Sequence, residues 1–592
     1  MPHADVLPSG ERAVLVGTFD GTALVDPEVA PADGNSVALA HYGTSDDRAL
    51  REAMLRLQRH LPTLRDPLHG SVLRRHGLLS RAEAYTALHA GRAKKARKRM
   101  AFDEALLIAL GGALPRFAAS GTRGLSHTVL HGFVGQVEQR LDIVFDDERQ
   151  MVFEEIKRDL RRGSPSRRVL TGEVGAGKGL LALMAAGVVA EGKGQVLFLG
   201  PDDAEVDERF VHCEPLLREG GLVARRLPDE PSRAASDAVK RGEIHVVFGT
   251  HALLEAGLPF RRLGLVVSAE RFPFGTAAMA HGALPAPRPD LLVLAQVPVG
   301  PSVLVSAYPD ADVSVVVDAS RRPARIEVCR ATEREAAYET LAQAAGRGEQ
   351  GVVMFPRVKG EDALDLGQAH AVVGALQGDA LAGLRVALLH SSMSHDERRA
   401  VVRDLQHRRI DVVVATVTLE DGPPIPGLTS VVVEQADRME QWRLHRVIGR
   451  LSTSSFHQSV ATLIVGEHAD ADAEARIERV LSAVDGFDLT ERRVAHRGIE
   501  ACVVPGSAPV PTTRWLDLAS DRTLFLAARE EAQRILRADP RLRRGSHQQL
   551  ADELRAAWAT LWPEHDESWP CPVPEAGSQE PRRRRRRRRR KR

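Results

Sequence analysis

The spacing of apolar positions divides the chain into three kinds of pattern. Near the N-terminus, AVLVGTF, TALVD and SVALAHY are short runs separated by Gly, Pro and Asp, within residues 11 to 42. Such runs predict short β-strands. From about Asp46 to Ala119 apolar residues recur every three or four positions, as in RALREAMLRLQRHL and MAFDEALLIALGGAL, and this predicts helices. From about Leu141 short β-branched runs alternate with helical segments. VLT (169–171), QVLFLG (195–200), IHVVFGT (244–250), LGLVVSA (263–269) and LLVLAQV (291–297) form one series. GVVMFP (351–356), RVALLH (385–390), DVVVAT (411–416), SVVVEQA (430–436) and SVATLIVG (459–466) form a second. Near-continuous apolar strands alternating with helices imply a parallel sheet covered on both faces, so two tandem α/β domains are expected. Helical periodicity returns from about 514 to 560, and 561–581 is rich in Pro and acidic residues.

A length of 592 residues accommodates roughly three to five domains. Cys213, Cys329, Cys502 and Cys571 are far apart and form no C-x-x-C spacing, which disfavours a disulfide framework or a zinc site. The N-terminus lacks the basic segment and apolar run of a signal peptide, and apolar runs elsewhere fall short of the ~18–20 residues of a membrane span. A cytoplasmic protein with no membrane partner is expected. The net charge of +2 conceals an asymmetry. Arg582, Arg583, Arg584, Arg585, Arg586, Arg587, Arg588, Arg589, Arg590, Lys591 and Arg592 form a basic tail, whereas the preceding 581 residues carry 70 Lys and Arg against 79 Asp and Glu, a net charge of −9. Eleven cations in a row are a candidate nucleic-acid anchor without sequence specificity; the plain alternative is a solvated low-complexity end. GRAKKARKR (91–99) reads as a solvated helix face more readily than as a DNA contact.

The segment LTGEVGAGKGLLALM (170–184) carries candidate chemistry. Gly172, Gly177 and Lys178 fit G-x-x-x-x-G-K-[ST], between a strand and an apolar helix, with QVLFLG closing the βαβ unit. Gly172, Gly175 and Gly177 let the backbone curl so that amides face phosphate oxygens, and Lys178 supplies a point charge. The motif's last position, where Ser or Thr would ligate Mg²⁺, is Gly179.

Seven collinear segments give the chain its resemblance. They are RKRMAFDEALLIALGGAL (97–114), DDERQMVFEEIKRDL (146–160), VVFGTHALLEAGLPFRRLGLVV (246–267), PSVLVSAYPDADVSVV (301–316), ATVTLEDGPPIPGL (415–428), RLHRVIGRLST (443–453) and DGFDLTERRVAHRG (485–498). Together they resemble RecG, the superfamily 2 DNA helicase family that remodels stalled replication forks. The resemblance implies an α/β fold of two tandem RecA-like (P-loop NTPase) lobes, with an N-terminal helical region and a C-terminal helical extension, and ATP between the lobes. The expected division is a short β-rich remnant of the family's wedge (1–45), a helical linker (46–135), lobe 1 (136–320), lobe 2 (321–480), a helical region (481–560), and a disordered linker with the basic tail (561–592). Residues 11–47 barely accommodate the five strands of an OB-fold wedge, and the family's G-T-R-Q segment has no counterpart after Gly498.

Carried over position by position, several family motifs are altered. The acidic motif D-E-x-H falls on Ala269-Glu270-Arg271-Phe272, and T-A-T on Ala295-Gln296-Val297. Q-x-x-G-R-x-G-R falls on 446–453, where Arg446 replaces Gln, Arg450 is retained and Thr453 replaces the last Arg; the Gln expected near the adenine falls on Arg149. Glu270 and Arg450 are the remaining catalytic candidates, as a water-polarising carboxylate and a cation. Phosphoryl transfer relies on bridging Mg²⁺ and on a cation at the γ-phosphate, a finger alone supplying ~10³–10⁵ in rate. ATP binding with weak or absent Mg²⁺, and slow or absent hydrolysis, is therefore expected of a DNA-binding RecG-like scaffold. An active, divergent RecG-type helicase in DNA repair and recombination is the alternative, and a protein-interaction scaffold without nucleotide is a second. His251 and His390 are assigned to loop structure.

Overall fold

The computed structural model describes residues 13–19, 24–31, 60–89, 93–118, 123–141, 145–282, 284, 287–317, 324–356, 366–390, 393–415, 427–451, 459–467, 469–505 and 513–558. The run SVALAHY, the segment 46–59, Thr453, the linker and the basic tail lie outside them. Two compact units emerge, one from 13–118 with 513–558, the other from 123–505.

In the first unit, strands β1 (Ala13–Phe19) and β2 (Leu24–Pro31) form an antiparallel pair. The helix Ala93–Ala118 organises the rest, packing against Arg81–His89, Arg522–Ala538 and Gln548–Trp558. Grouping 513–558 with the N-terminal helices divides the expected 481–560 region. The apolar stripe around Phe102, Ala105 and Leu106 requires a partner, which Phe525, Ala528 and Ala532 help provide; all are buried. Most of the basic run is the solvated face expected of it, with Lys94, Lys95, Arg97 and Lys98 exposed, but its last residue is not. Arg99 is fully buried, its guanidinium held by Asp66 at 2.7 and 2.8 Å and by Asp103 at 2.9 Å. Arg97 pairs with Asp521 at 2.7 Å. A buried cation persists only where carboxylates surround it, and no periodicity reveals that they do.

The second unit contains both parallel sheets. The first has strand order β5-β6-β4-β7-β8-β3-β9, from β3 (Arg167–Thr171), β4 (Gln195–Gly200), β5 (Ala224–Arg226), β6 (Val246–Thr250), β7 (Leu263–Glu270), β8 (Asp290–Ala295) and β9 (Asp312–Val315). The second has order β10-β15-β14-β11-β13-β12, from β10 (Arg325–Arg330), β11 (Gln350–Met354), β12 (Val386–Leu389), β13 (Val412–Ala415), β14 (Leu428–Val433) and β15 (Val460–Val465). Every named pairing in both is parallel. Alternation along the strands supplies two cores: Val413 and Ala415 join one apolar cluster in the second lobe, Val412 and Val414 another on the opposite face. These are the two RecA-like lobes expected. The short strands β5, β9 and β10 are additions to the series read from the sequence. Among the described residues no helix is long and apolar enough to cross a membrane.

Gly111 lies where an added Cβ would stand 2.2 Å from the Trp558 ring. That close approach buries Trp558 completely and lets its Nε1 donate to the Leu107 carbonyl at 3.1 Å. Trp558→Ala is expected to destabilise the first unit by ~3–5 kcal/mol. A urea titration followed by far-UV circular dichroism tests this, and an unchanged midpoint would refute the packing role.

Candidate nucleotide site and interlobe cleft

The phosphate loop follows β3. Gly172 has φ 141° and passes beneath the end of the sheet, where a Cβ would stand 2.1 Å from the Val316 carbonyl oxygen. Gly177 is left-handed (φ 98°) and caps the helix Lys178–Glu191, whose residues Leu181 to Ala190 are all buried. The helix N-terminus thus faces the loop, with its amides and partial positive charge directed there. Lys178 is buried, and its Nζ donates to the carbonyls of Gly172 at 2.6 Å and Glu173 at 2.8 Å. Gly175 (φ 84°) completes the curl.

Glu173, unremarkable in sequence, ties this loop to the second lobe. It accepts from His445 Nε2 at 2.9 Å and from the Gly486 amide at 2.8 Å. Burial pushes its carboxyl pKa up, but His445, the Gly486 amide and the Lys178 charge outweigh that and bring it to about 2 from the usual 4.5. Beside this contact Gly449 approaches Val174 so closely that a Cβ would stand 2.5 Å from the valine Cβ. Gly449 ends the helix Gln441–Ile448, and Arg450 is the next residue. The retained arginine therefore follows directly on a contact with the phosphate loop.

The residues at the expected Mg²⁺ position do not fit a metal. Gly179 offers no hydroxyl, and Ala269 is a buried methyl at the end of β7. Arg209 Nη1 stands 3.4 Å from where a Gly179 Cβ would be, so a guanidinium approaches where a hydrated cation would be held. Arg149 flanks Gly177 at 3.5 Å from its Cβ position and is braced by Asp146, Nε to Oδ2 at 2.9 Å. The cradle has acquired arginines where it lacks metal ligands.

Glu270 is fully buried beside Ala269. It accepts from the amides of Gly275 at 2.7 Å and Ala277 at 2.8 Å, from Tyr308 Oη at 2.5 Å and from Ser268 Oγ at 3.2 Å. An ionised carboxylate has about four lone-pair sites, and four donors fill them. Burial, followed by Glu270 itself, pushes the Tyr308 pKa well up and keeps its hydroxyl a donor. His251 joins this cluster through Ser268 Oγ at 2.8 Å. Glu270 thus staples the 271–277 loop rather than presenting a free oxygen to a water.

Three residues of the motif segments, Arg271, Gln296 and Arg446, converge on Glu205, a residue without special standing in the sequence. Arg209, Glu173, Glu205 and His445 are the site residues that sequence reasoning missed. None of the four stands at a defined motif position, so residue type alone did not mark them.

The helicase conserved C-terminal domain family matches residues 333–453. The chain is 26% identical over 570 residues to the ATP-dependent DNA helicase RecG of Synechocystis sp., covering 91% of this chain and 67% of the relative. It is 27% identical over 503 residues to RecG of Mycobacterium tuberculosis, covering 78% and 68%. Among solved structures, RecG bound to a three-way DNA junction aligns with TM-score 0.46 and 22% identity, covering 85% of this chain and 68% of that one.

Two outcomes are expected. Binding of a fluorescent ATP analogue should be unchanged when Mg²⁺ is replaced by EDTA, while Arg209→Ala weakens it ~10–100-fold, the scale of a lost hydrogen bond to a charged group; strong Mg²⁺ dependence would refute the fit. Glu173 has a depressed folded-state pKa, so its contribution is fully present above the unfolded value near 4.5 and is lost as pH falls towards about 2. Wild-type and Glu173→Gln melting temperatures should differ at neutral pH and converge across that window; a constant difference would contradict it.

Proposed function

We propose, from the premise that this chain is a RecG-like superfamily 2 helicase in sequence and fold, that it works as a cytoplasmic DNA-binding scaffold. In this reading it recognises branched or forked DNA and holds ATP, with hydrolysis and unwinding lost or strongly impaired. One observation carries the reading: the phosphate loop and Lys178 are complete, yet the two metal-holding positions are Gly179 and Ala269, and the carboxylate of Glu270 is saturated by four donors. Loop, lysine and helix N-terminus suffice to hold phosphate. Transfer of the γ-phosphoryl group needs more, because charge developing on its oxygens must be neutralised by metal and cation. With the metal positions emptied of oxygen donors, ground-state binding survives while transition-state stabilisation is lost.

DNA attachment in this reading is shared between the lobes and the basic tail Arg582–Arg592. If all eleven cations engaged duplex phosphates, log K would fall with log salt at a slope of about −10.

The test is ATP hydrolysis with Mg²⁺ and forked DNA, beside Lys178→Ala, each with and without residues 582–592. The expected result is turnover no greater than in Lys178→Ala, with fork binding that survives tail removal at low salt and shows a shallower salt slope. DNA-stimulated turnover abolished by Lys178→Ala would refute the scaffold and establish an unusual motor. Binding only through the tail would refute a DNA-binding role for the lobes.

A further inference from the structure

Motor lobes driven by nucleotide need at least two arrangements, with the ligand selecting between them. In this chain residues of the motif segments build something else. Glu205, in the first turn of the helix Asp203–Glu219, is nearly fully buried. It accepts from Arg271 and Gln296 of its own lobe and, at 3.2 Å, from Arg446 of the other. Arg271 also binds Asp202 at 2.6 Å, and both guanidiniums lie over the Trp442 ring, at 5.2 and 5.6 Å from its centroid. These positions fall within the acidic motif (271), the T-A-T motif (296) and the Q-x-x-G-R-x-G-R motif (446). Here they meet on one carboxylate.

Two further straps span the same cleft. Glu173 holds His445 and the Gly486 amide, as described above. The segment after Gly486 then attaches to the first lobe. Glu491 accepts from Ser302 Oγ at 2.6 Å and Ser302 N at 3.1 Å, and Thr490 Oγ1 donates to the Pro298 carbonyl at 2.6 Å. Phe274 exchanges backbone hydrogen bonds with the 502–504 segment at 2.9 Å each. A small pocket at this seam is lined by Phe272, Trp442, His445 and Arg493 among others.

We infer that Arg271, Gln296 and Arg446, meeting on Glu205, form a nucleotide-independent lock that keeps the two lobes in one closed arrangement. Glu205 is its central acceptor, and Glu173 and Glu491 are secondary straps. The lock deepens the scaffold reading and rests on it.

The experiment is hydrogen–deuterium exchange on the full chain, without nucleotide, with ATP and with ADP, while phosphate release is measured on the same samples. In the wild type, segments 271–277, 443–451 and 486–504 should be protected without nucleotide, and their exchange should not change when ATP or ADP is added. Glu205→Gln should accelerate exchange in 271–277 and 443–451 by about tenfold or more, while Val246–Thr250 remains protected as a report on the fold. Arg446→Gln, which places the family's residue type at that position and acts from the other lobe, should reproduce the effect if Glu205→Gln does not fold. ATP-dependent change in the wild-type segments, or unaltered exchange in the folded variants, would overturn the lock. Phosphate release with unchanged exchange would instead refute the scaffold reading and leave the lock standing, so the two failures are distinguishable.

Discussion

A carboxylate taken out of water must be surrounded by donors, and the second unit is arranged around four that are. Glu205, Glu270 and Glu491 are each more than nine-tenths buried, and Glu173 lies partly so between the lobes. Each gathers donors from segments distant in the chain, so each fixes the mutual position of those segments. Glu270 fixes the loop after β7, Glu173 joins the phosphate loop to the second lobe, and Glu491 holds the segment after Gly486 against the first. Removing one partner of a buried ion pair costs ~3–5 kcal/mol, and this penalty gives such contacts their authority over geometry.

The same magnitude bears on what a nucleotide could do here. A ligand present at a thousandfold its Kd adds ~4 kcal/mol to the state it binds, and only its preference between two arrangements can move the lobes. One buried pair is comparable to that, and Glu205–Arg446 is reinforced by Arg271, Gln296 and the Trp442 ring. A motor would need the interlobe contacts weak enough for binding and release to reverse them. The charges of Arg271 and Arg446 on Glu205 work in the opposite direction. Gly179 and Ala269 at the metal positions and the contacts of Glu205 with Arg271, Gln296 and Arg446 are compatible with the proposed scaffold, in which no lobe motion has to be preserved.

Much of the architecture was legible in the chain. Buried parallel strands are apolar on both faces, so β3, β4, β6, β7 and β8, and β11 to β15, stand out as runs. The phosphate loop was legible for a different reason. Its positive φ values at Gly172, Gly175 and Gly177 demand glycine, and its charge demands a lysine beside them. Short edge strands such as β5 and β10 escaped because three to six half-exposed residues carry little apolar signal.

The sequence by itself determined the two-lobe fold, the glycine-rich loop with Lys178, and Gly179 and Ala269 at positions where the resembled motifs carry Ser/Thr and Asp, since each depends on residue type at fixed local spacing. It also marked Gln296 and Arg446 as departures from the motifs, but as separate ones. Only the tertiary structure decided that they meet at Glu205, that Arg209 approaches Gly179, that Glu270 is consumed by its own loop, and that Arg99 is an interior cation. The reason is common to all four. A charge has the same symbol whether it faces water or a buried counter-charge, and which of these it meets is set by contacts between segments far apart in the chain.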